Sequence, residues 1–393
     1  MPPDIVLSSP ARTPFADFGR SFRDVPLTRL AVHAARASLS RSGLPDDAID
    51  HVVYANTVPV DADSLFGARV VSVAMGLPEE VSALTVSRGC GAGLQAIVSA
   101  AEQIISGHSR IALAGGAENY SRAPFVVRTS RWGHKRGDQV MQDLLENTYR
   151  DPFSGAYMGE TAENIARRFG YTRDAMDAWA LLSQQRAGAA IRSGFLARQI
   201  VPIELGEGRD RRVFAVDEFP RPEITAERLA GLRPSFRADG CVTAGNASGV
   251  TDGAAFLVVA DGAAARERGL AAEARLVDWA TIGVAPDLMG IGPVPAIRKL
   301  LQRTGLTVAD IDYFEINEAF AVVNLHAERE LGIDRGKTNL YGGGISVGHP
   351  PGATGVRMAM TAMHHLQDTG GRYAVLSMCI GAGQGMAALI ERC

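Results

Sequence analysis

The chain has 393 residues, 46% apolar side chains, 43 glycines and a formal net charge of -3. It can therefore bury a large core, in two or three domains or one duplicated architecture, and it lacks the basic balance of a nucleic-acid binder. Cys90, Cys241, Cys379 and Cys393 are scattered without C-x-x-C spacing, and the eight histidines show no ligand spacing. Neither a disulfide framework nor a metal site is expected, and a reducing compartment fits. No apolar run is long enough for a transmembrane segment, no signal core precedes Asp4–Ser9, and Glu391-Arg392-Cys393 matches no C-terminal address; a cytoplasmic location is the expectation.

In chain order, Ile5–Ser8 reads as a strand, and Leu27–Ser40 as a helix with Leu30, Ala34, Ala37 and Leu39 as apolar positions and Gly43 as its stop. Strand Ile49–Tyr54, helix Ser64–Ala74 and strand Val81–Val86 follow. Next come a glycine-flanked turn, Ser87–Leu94, the helix Gln95–Ile105 and the strand Ile111–Ala114 before Gly115-Gly116-Ala117-Glu118. Alternating strands and helices predict an α/β sheet. From about Asn119 to Ser248 the chain is richer in charge and irregular stretches, such as Arg128–Gly137 and Gly206–Arg212. It also carries helices at Thr161–Phe169 and Arg173–Gly194, the second capped by Thr172. This is too long for a loop and reads as an inserted subdomain able to cover a substrate.

The second half repeats the first. Gly43–Val52 lines up with Gly305–Phe314, Gly89-Cys90 with Gly348-His349, and Arg110–Ala114 with Arg372–Leu376, in order and at nearly one offset of roughly 260 residues. Two such halves packed together place equivalent turns around one centre.

Cys90 sits between glycines where a strand gives way to a helix. At a helix N-terminus unpaired N–H groups and the helix dipole favour thiolate, so a lowered thiol pKa is expected; the alternative is a small buried apolar residue. His349 holds the matching place in the second half, inside the glycine-dense Gly342–Gly355, and a Cys–His pair keeps a thiolate ready at neutral pH. Cys379 follows strand Tyr373–Leu376 and leads into Gly381-Ala382-Gly383. Asn317 ends strand Asp312–Ile316, where it can orient a water or an oxyanion, or cap the next helix.

These stretches resemble the thiolase family. The cysteine turn is Ser87–Ile97, the N-E-A-F motif is Asn317–Phe320, G-H-P-x-G-x-[ST]-G is Gly348–Gly355, and C-x-G-x-G is Cys379–Gly383. Met158-Gly159 with Thr161–Asn164, Thr243–Gly249, Gly290–Ala296 and Gly115–Glu118 add to them, in family order over essentially the whole chain. The resemblance implies a thiolase fold: two duplicated βαβαβαββ-type halves forming a five-layered αβαβα core with an inserted α-rich loop subdomain. Residues 1–118 plus 249–270 would form one half, 119–248 the insertion, and 271–393 the other half.

It also implies CoA-dependent cleavage of 3-ketoacyl-CoA, and the reverse Claisen condensation, by ping-pong kinetics. Cys90 would carry the acyl group, His349 would raise its thiolate character, and Cys379 would be the acid/base. Asn317 would hold a water that, with His349, stabilises an enolate oxygen, while the N–H groups of Cys90 and Gly381 would form a second oxyanion hole. Ser248, Ala244, Phe236 and Met158, with Arg221 near the nucleotide end, would hold coenzyme A, a co-substrate rather than a resident cofactor. Phe320 and Met289 would line the pantetheine and acyl pocket, unless they are ordinary core. A homodimer or homotetramer is implied, with a hydratase/dehydrogenase subunit as a further partner in some branches.

The chain departs from short-chain acetoacetyl-CoA enzymes of the family at Tyr157, in place of His, at Gln384, in place of Met, and at Gly342–Ser346. These features lean towards the fatty-acid-oxidation branch, including trifunctional β-subunits. A biosynthetic acetoacetyl-CoA thiolase is the alternative. A decarboxylating ketoacyl synthase would want His where Asn317 stands, as would a sterol-carrier-type thiolase. A non-catalytic acyl-CoA-binding or scaffold subunit would be free to lose Cys90, Cys379 or His349, all of which are present.

Overall fold

The computed structural model describes residues 4–393. In the first half, β1 (Ile5–Arg12), β2 (His51–Ala55), β3 (Ser82–Val86) and β4 (Ile111–Glu118) share a sheet with β5 (Thr251–Asp261), which returns after the insertion. The second half supplies β6 (Ala274–Gly283), β7 (Tyr313–Ile316), β8 (Tyr373–Ile380) and β9 (Gln384–Arg392). The strand order is β7-β8-β9-β6-β1-β5-β4-β2-β3. From the seam outward the first half reads β1, β5, β4, β2, β3, and the second reads β6, β9, β8, β7, then Thr338 bridged in parallel to Phe314. Pairing is antiparallel near the seam and parallel towards both edges, in the same pattern on each side. Among the described residues only the pairs Val6↔Arg275 and Leu7↔Ala274 join the two sheets, so they behave as two related sheets touching at an edge.

Helices α1 (Leu27–Ser42) and α2 (Gly67–Ala74) cover the outer face of the first sheet, and α6 (Pro293–Thr304) and α7 (Ala321–Leu331) that of the second. Helices α3 (Ala92–Ile105) and α8 (Pro351–Thr369) fill the middle, packed on each other and on the inner faces of both sheets. The three apolar clusters between layers give the αβαβα sandwich. α1 shows why such layers form: Leu27, Leu30, Ala31, Ala34, Ala35 and Leu39 share its buried stripe, and Gly43 closes it in the left-handed conformation. α3 and α8 are instead buried almost all round, as middle-layer helices must be.

Three elements differ from the sequence expectation. The expected helix Ser64–Ala74 is a 3₁₀ turn, Ala62–Phe66, followed by α2, because Asp61 and Ser64 cap the turn reciprocally and Gly67 comes against the Tyr54 ring. The strand expected to stop at Ala114 runs through Gly115 and Gly116 to Glu118. A Cβ at Gly115 would meet Ala255 O at 2.3 Å, and one at Gly116 would meet Ala55 O at 2.3 Å and Gly352 O at 2.4 Å. Glycine there reflects close packing rather than a turn. β8 likewise continues to Ile380, so Cys379 lies inside the strand.

The insertion carries α4 (Met158–Phe169) and α5 (Arg173–Arg192). Thr172 Oγ1 accepts from Ala175 N at 3.2 Å to start α5. The irregular Gly206–Arg212 is the connection of a small hairpin, Ile203–Leu205 with Arg212–Phe214. Among the described residues no helix is long and apolar enough to cross a membrane.

Candidate active site

The middle layer sets the site. Near the N-termini of α3 and α8, a Cβ on Gly93 would lie 2.8 Å from Gly352 O, and one on Gly355 would lie 2.0 Å from Leu94 N. Glycine at both positions lets the backbones touch, and this draws together the turns that precede the helices, with Cys90 on one and His349 on the other. Both residues line one cavity of about 380 Å³. Gly381, Met158, Ser248, Met289 and Phe320 line it as well. Met158 lies against Gly381, where a Cβ would come within 3.0 Å of its Cε.

His349 is buried, and burial followed by the Arg357 charge lowers its pKa to about 3. Thr354 Oγ1 donates to Pro350 O at 2.9 Å and therefore accepts from His349 Nδ1 at 2.8 Å. That fixes the neutral tautomer with a lone pair on Nε2. Asn317 Nδ2 stands 3.4 Å from this Nε2, and Asn317 Oδ1 is buried with no partner among the described residues. Asn317 does not cap α7, which begins after Phe320.

The expected drop in the Cys90 pKa is overturned. Burial is the largest influence and pushes the thiol up, while the N–H groups of Gly381 and of Cys90 itself pull it down and Glu118 pushes it further up. Sequence reasoning weighed the helix end and could not weigh desolvation. Cys379 is fully buried; burial and then the neighbouring Cys90 push its thiol well up, which keeps it protonated. Neither Cys379 nor Asn317 is on the cavity wall.

Of the other expected contacts, Phe236 packs flat on Gly159 behind Met158, and its ring centroid is 6.4 Å from that of Phe320. Ala244 is exposed and off the cavity wall. Arg221 is also off it, bound to Asp17 at 2.9 Å and to the carbonyls of Glu218, Phe219 and Pro220, beside a separate cleft formed by residues 220–224, Arg228 and Leu232. Gln384 is not on the wall; its Oε1 accepts from Arg88 at 3.5 Å.

Two buried carboxylates hold the site together. Glu118 accepts from Asn56 Nδ2 (2.8 Å), Thr57 Oγ1 (2.8 Å), Val58 N (2.9 Å) and Gly352 N (3.2 Å), linking the first half to the start of α8. Burial raises its pKa to about 7 against these donors. Glu318 accepts from Trp179 Nε1 (3.0 Å), Ser183 Oγ (2.6 Å) and Ile345 N (3.1 Å), tying the glycine-rich loop to α5. In the sequence both stand only as the acidic members of glycine- or Asn-containing motifs. The cavity residues Thr57, Tyr120, Tyr149 and Arg150 carry no sequence signal, because irregular connections bring them in. Among the described residues no cluster of His, Cys, Asp and Glu could hold a metal ion.

A thiol-bearing turn and an imidazole-bearing turn meeting between duplicated sheets define a class, and the comparisons name it. Residues 5–263 match the thiolase N-terminal domain and residues 270–392 the thiolase C-terminal domain. The chain belongs to the thiolase family and is an acyltransferase. It is 44% identical to beta-ketothiolase BktB of Cupriavidus necator, over 99% of both chains. It is 41% identical to the mitochondrial 3-ketoacyl-CoA thiolase of Bos taurus, over 97% of this chain and 96% of that one. The structure of Bacillus anthracis acetyl-CoA acetyltransferase superposes with a TM-score of 0.97 at 41% identity, covering 100% of this chain and 99% of that one. Human mitochondrial 3-ketoacyl-CoA thiolase in complex with CoA superposes at 0.96 and 40% identity, covering 100% and 98%.

Proposed function

We propose that the enzyme cleaves 3-ketoacyl-CoA with CoA, giving acetyl-CoA and an acyl-CoA shortened by the acetyl unit, through an acyl group on Cys90. The observation that carries this reading is the convergence of Cys90 and His349 on one cavity, with His349 Nε2 left as an acceptor. The Cys90 thiol gives its proton to Nε2, and the thiolate attacks the 3-keto carbon. The C2–C3 bond breaks, its electron pair stays with the acetyl thioester as an enolate, and Cys379 protonates C2. The new Nε2–H, with a water held by Asn317, stabilises the enolate oxygen, and the N–H groups of Cys90 and Gly381 stabilise the tetrahedral adduct. Cys379, now a thiolate, deprotonates the incoming CoA thiol, which takes the acyl group from Cys90, and the Cys90 thiolate that leaves recovers its proton from His349 Nε2. A protonated, buried Cys379 suits this order, because it must give a proton before it takes one.

We assign residues 119–248 as the cover, since Tyr120, residues 147–150, Pro152 and Met158 supply much of the cavity wall from that stretch, between a first half of 1–118 plus 249–270 and a second of 271–393. We also propose at least a dimer, because β3 ends the sheet as an exposed edge that offers a strand-pairing surface. The test is thiolysis of 3-ketoacyl-CoAs of rising chain length, with Cys90→Ala as control. Cleavage lost in the control, together with a mass increment of one acyl group on wild-type Cys90, is the expected outcome. A folded protein without cleavage at any length contradicts it. Because acetyl-CoA acetyltransferases are also among the relatives, the length profile separates acetoacetyl-CoA from longer substrates.

A further inference from the structure

Among the described residues, Arg150 is the only Lys, Arg, Asp or Glu on the wall of the Cys90 cavity. It belongs to a tight chain reversal. Met158 N donates to Tyr149 O at 2.8 Å, Asp151 N to Ala156 O at 2.7 Å, and the buried Asp151 carboxylate accepts from Ser154 N and Ser154 Oγ, each at 2.8 Å. The guanidinium lies 4.0 Å from the centroid of the Tyr157 ring, donates from Nη2 to Tyr157 Oη at 2.6 Å and from Nη1 to Gly155 O at 3.1 Å. Tyr157 Oη donates its own hydrogen bond to Glu146 Oε2 at 2.9 Å, so the phenol oxygen faces Arg150 as an acceptor. Among the described residues Arg150 has no carboxylate within ion-pair distance. Two neutral acceptors and a ring face orient the cation and leave its charge for another group. Tyr157 is also the position that departs from the short-chain pattern.

We propose, on the thiolase reading above, that Arg150 recognises an anionic oxygen group on the substrate and that Tyr157 positions it. The shared chemistry is a carboxylate or phosphate taken by a planar fork of N–H donors. Arg150 shares its cavity wall with Cys90, the residue that acts on the 3-keto carbon in that reading. The group nearer the reacting carbonyl therefore fits best: a carboxylate at the far end of a dicarboxylic 3-ketoacyl chain. The competing source is a phosphate of coenzyme A itself.

The experiment compares 3-ketohexanoyl and 3-ketoadipyl chains, equal in carbon count, each as the CoA thioester and as the phosphate-free N-acetylcysteamine thioester. Wild type, Arg150→Gln and Tyr157→Phe are run on all four. The expected result is a preference of wild type for ketoadipyl, and a fall in its kcat/KM on the order of 10²-fold in Arg150→Gln on both carriers, with ketohexanoyl little changed. Tyr157→Phe, which keeps the ring and loses the acceptor, lowers the ketoadipyl-to-ketohexanoyl ratio in the same direction and by less. A loss confined to CoA thioesters, equal for both acyl chains, upholds anion recognition and assigns it to the phosphate. Equal changes on all four substrates, or none, overturn the proposal. Wild-type turnover of 3-ketohexanoyl-CoA tests the thiolase reading by itself, so the two can fail separately.

Discussion

In the first half, Asp50 closes the start of β2: its carboxylate accepts from Arg110 N (2.6 Å) and Ile111 N (3.3 Å), and its own N–H donates to Ile111 O (3.1 Å). In the second half Asp312 does the same with Arg372 N (2.6 Å), Tyr373 N (3.0 Å) and Tyr373 O (3.0 Å). Gly43 and Gly305 end equivalent helices in the left-handed conformation. Near the cavity the correspondence stops, with a thiol on one turn, an imidazole on the other, and Cys379 where the first half has Ala117. Backbone groups at the starts of the strands must be paired whatever the enzyme does, so duplication preserved them, while the cavity-facing turns were free to specialise into parts that act only together.

The largest effect expected is from erasing that difference on the second half. His349→Ala removes the proton acceptor and the later donor, so thiolysis falls on the order of 10²–10⁴-fold while the fold persists. Circular dichroism and steady-state kinetics check both, and retention of more than a tenth of the rate contradicts the role. The next effect concerns pH. Burial raises the Cys90 thiol, and a group with a raised pKa stays protonated until higher pH, so its thiolate fraction grows as pH rises. Alkylation of free enzyme by iodoacetamide should accelerate about tenfold per unit between pH 6 and 8. A plateau beginning near pH 5 would instead reveal a standing thiolate–imidazolium pair, against the burial that keeps His349 neutral.

The regular parts of this design were legible in the chain. The 3.6-residue stripe of α1 with its Gly43 stop, the Thr172 cap and the repeated Asp50 and Asp312 segments predict the layers, because local periodicity and caps determine them. The glycine-flanked turns, the repeat and the strand ends drew attention to Cys90, His349, Cys379 and Asn317, and the thiolase-like motifs gave them roles. What escaped depends on three-dimensional closeness. Gly115 and Gly116 resemble a turn until Ala55 and Phe256 are seen against them. The Cys90 pKa turns on desolvation, which has no sequence pattern. Arg150 lies in a stretch without periodicity, and Arg221, which the family resemblance suggested, is held by Asp17 away from the cavity.

The shared frame makes a quantitative prediction. Asp50→Ala and Asp312→Ala each strip a carboxylate from two backbone N–H groups, and Asp50→Ala from the Ser109 hydroxyl as well; each should cost about 1–3 kcal/mol. The Asp50 loss should exceed the Asp312 loss by no more than the Ser109 hydrogen bond; the two should add in the double variant because the sites are far apart, and should leave kcat unchanged. Urea unfolding read alongside thiolysis tests this. A gap wider than one hydrogen bond, or a matching loss of kcat, would mean that the two frames are not equivalent.

The smallest effect comes from the turn between β8 and β9, on the same cavity wall as Cys90. Ala382 has φ +64°, between Gly381 and Gly383, and lines the cavity. A side chain in the left-handed region costs roughly 1–2 kcal/mol, held here because Gly383 is locked to Val284 through a 2.8 Å hydrogen bond from Val284 N to Gly383 O. Ala382→Gly removes that strain but adds freedom to the unfolded chain, which offsets about 0.4–1 kcal/mol. The net gain in stability should therefore be about 1 kcal/mol or less, seen as a slightly raised urea midpoint. The same freedom reaches Gly381, whose N–H contacts the Cys90 sulfur, so kcat should fall a few-fold as stability rises. If stability and kcat rise together, the left-handed alanine is a tolerated cost rather than a device that holds the Gly381 N–H in place.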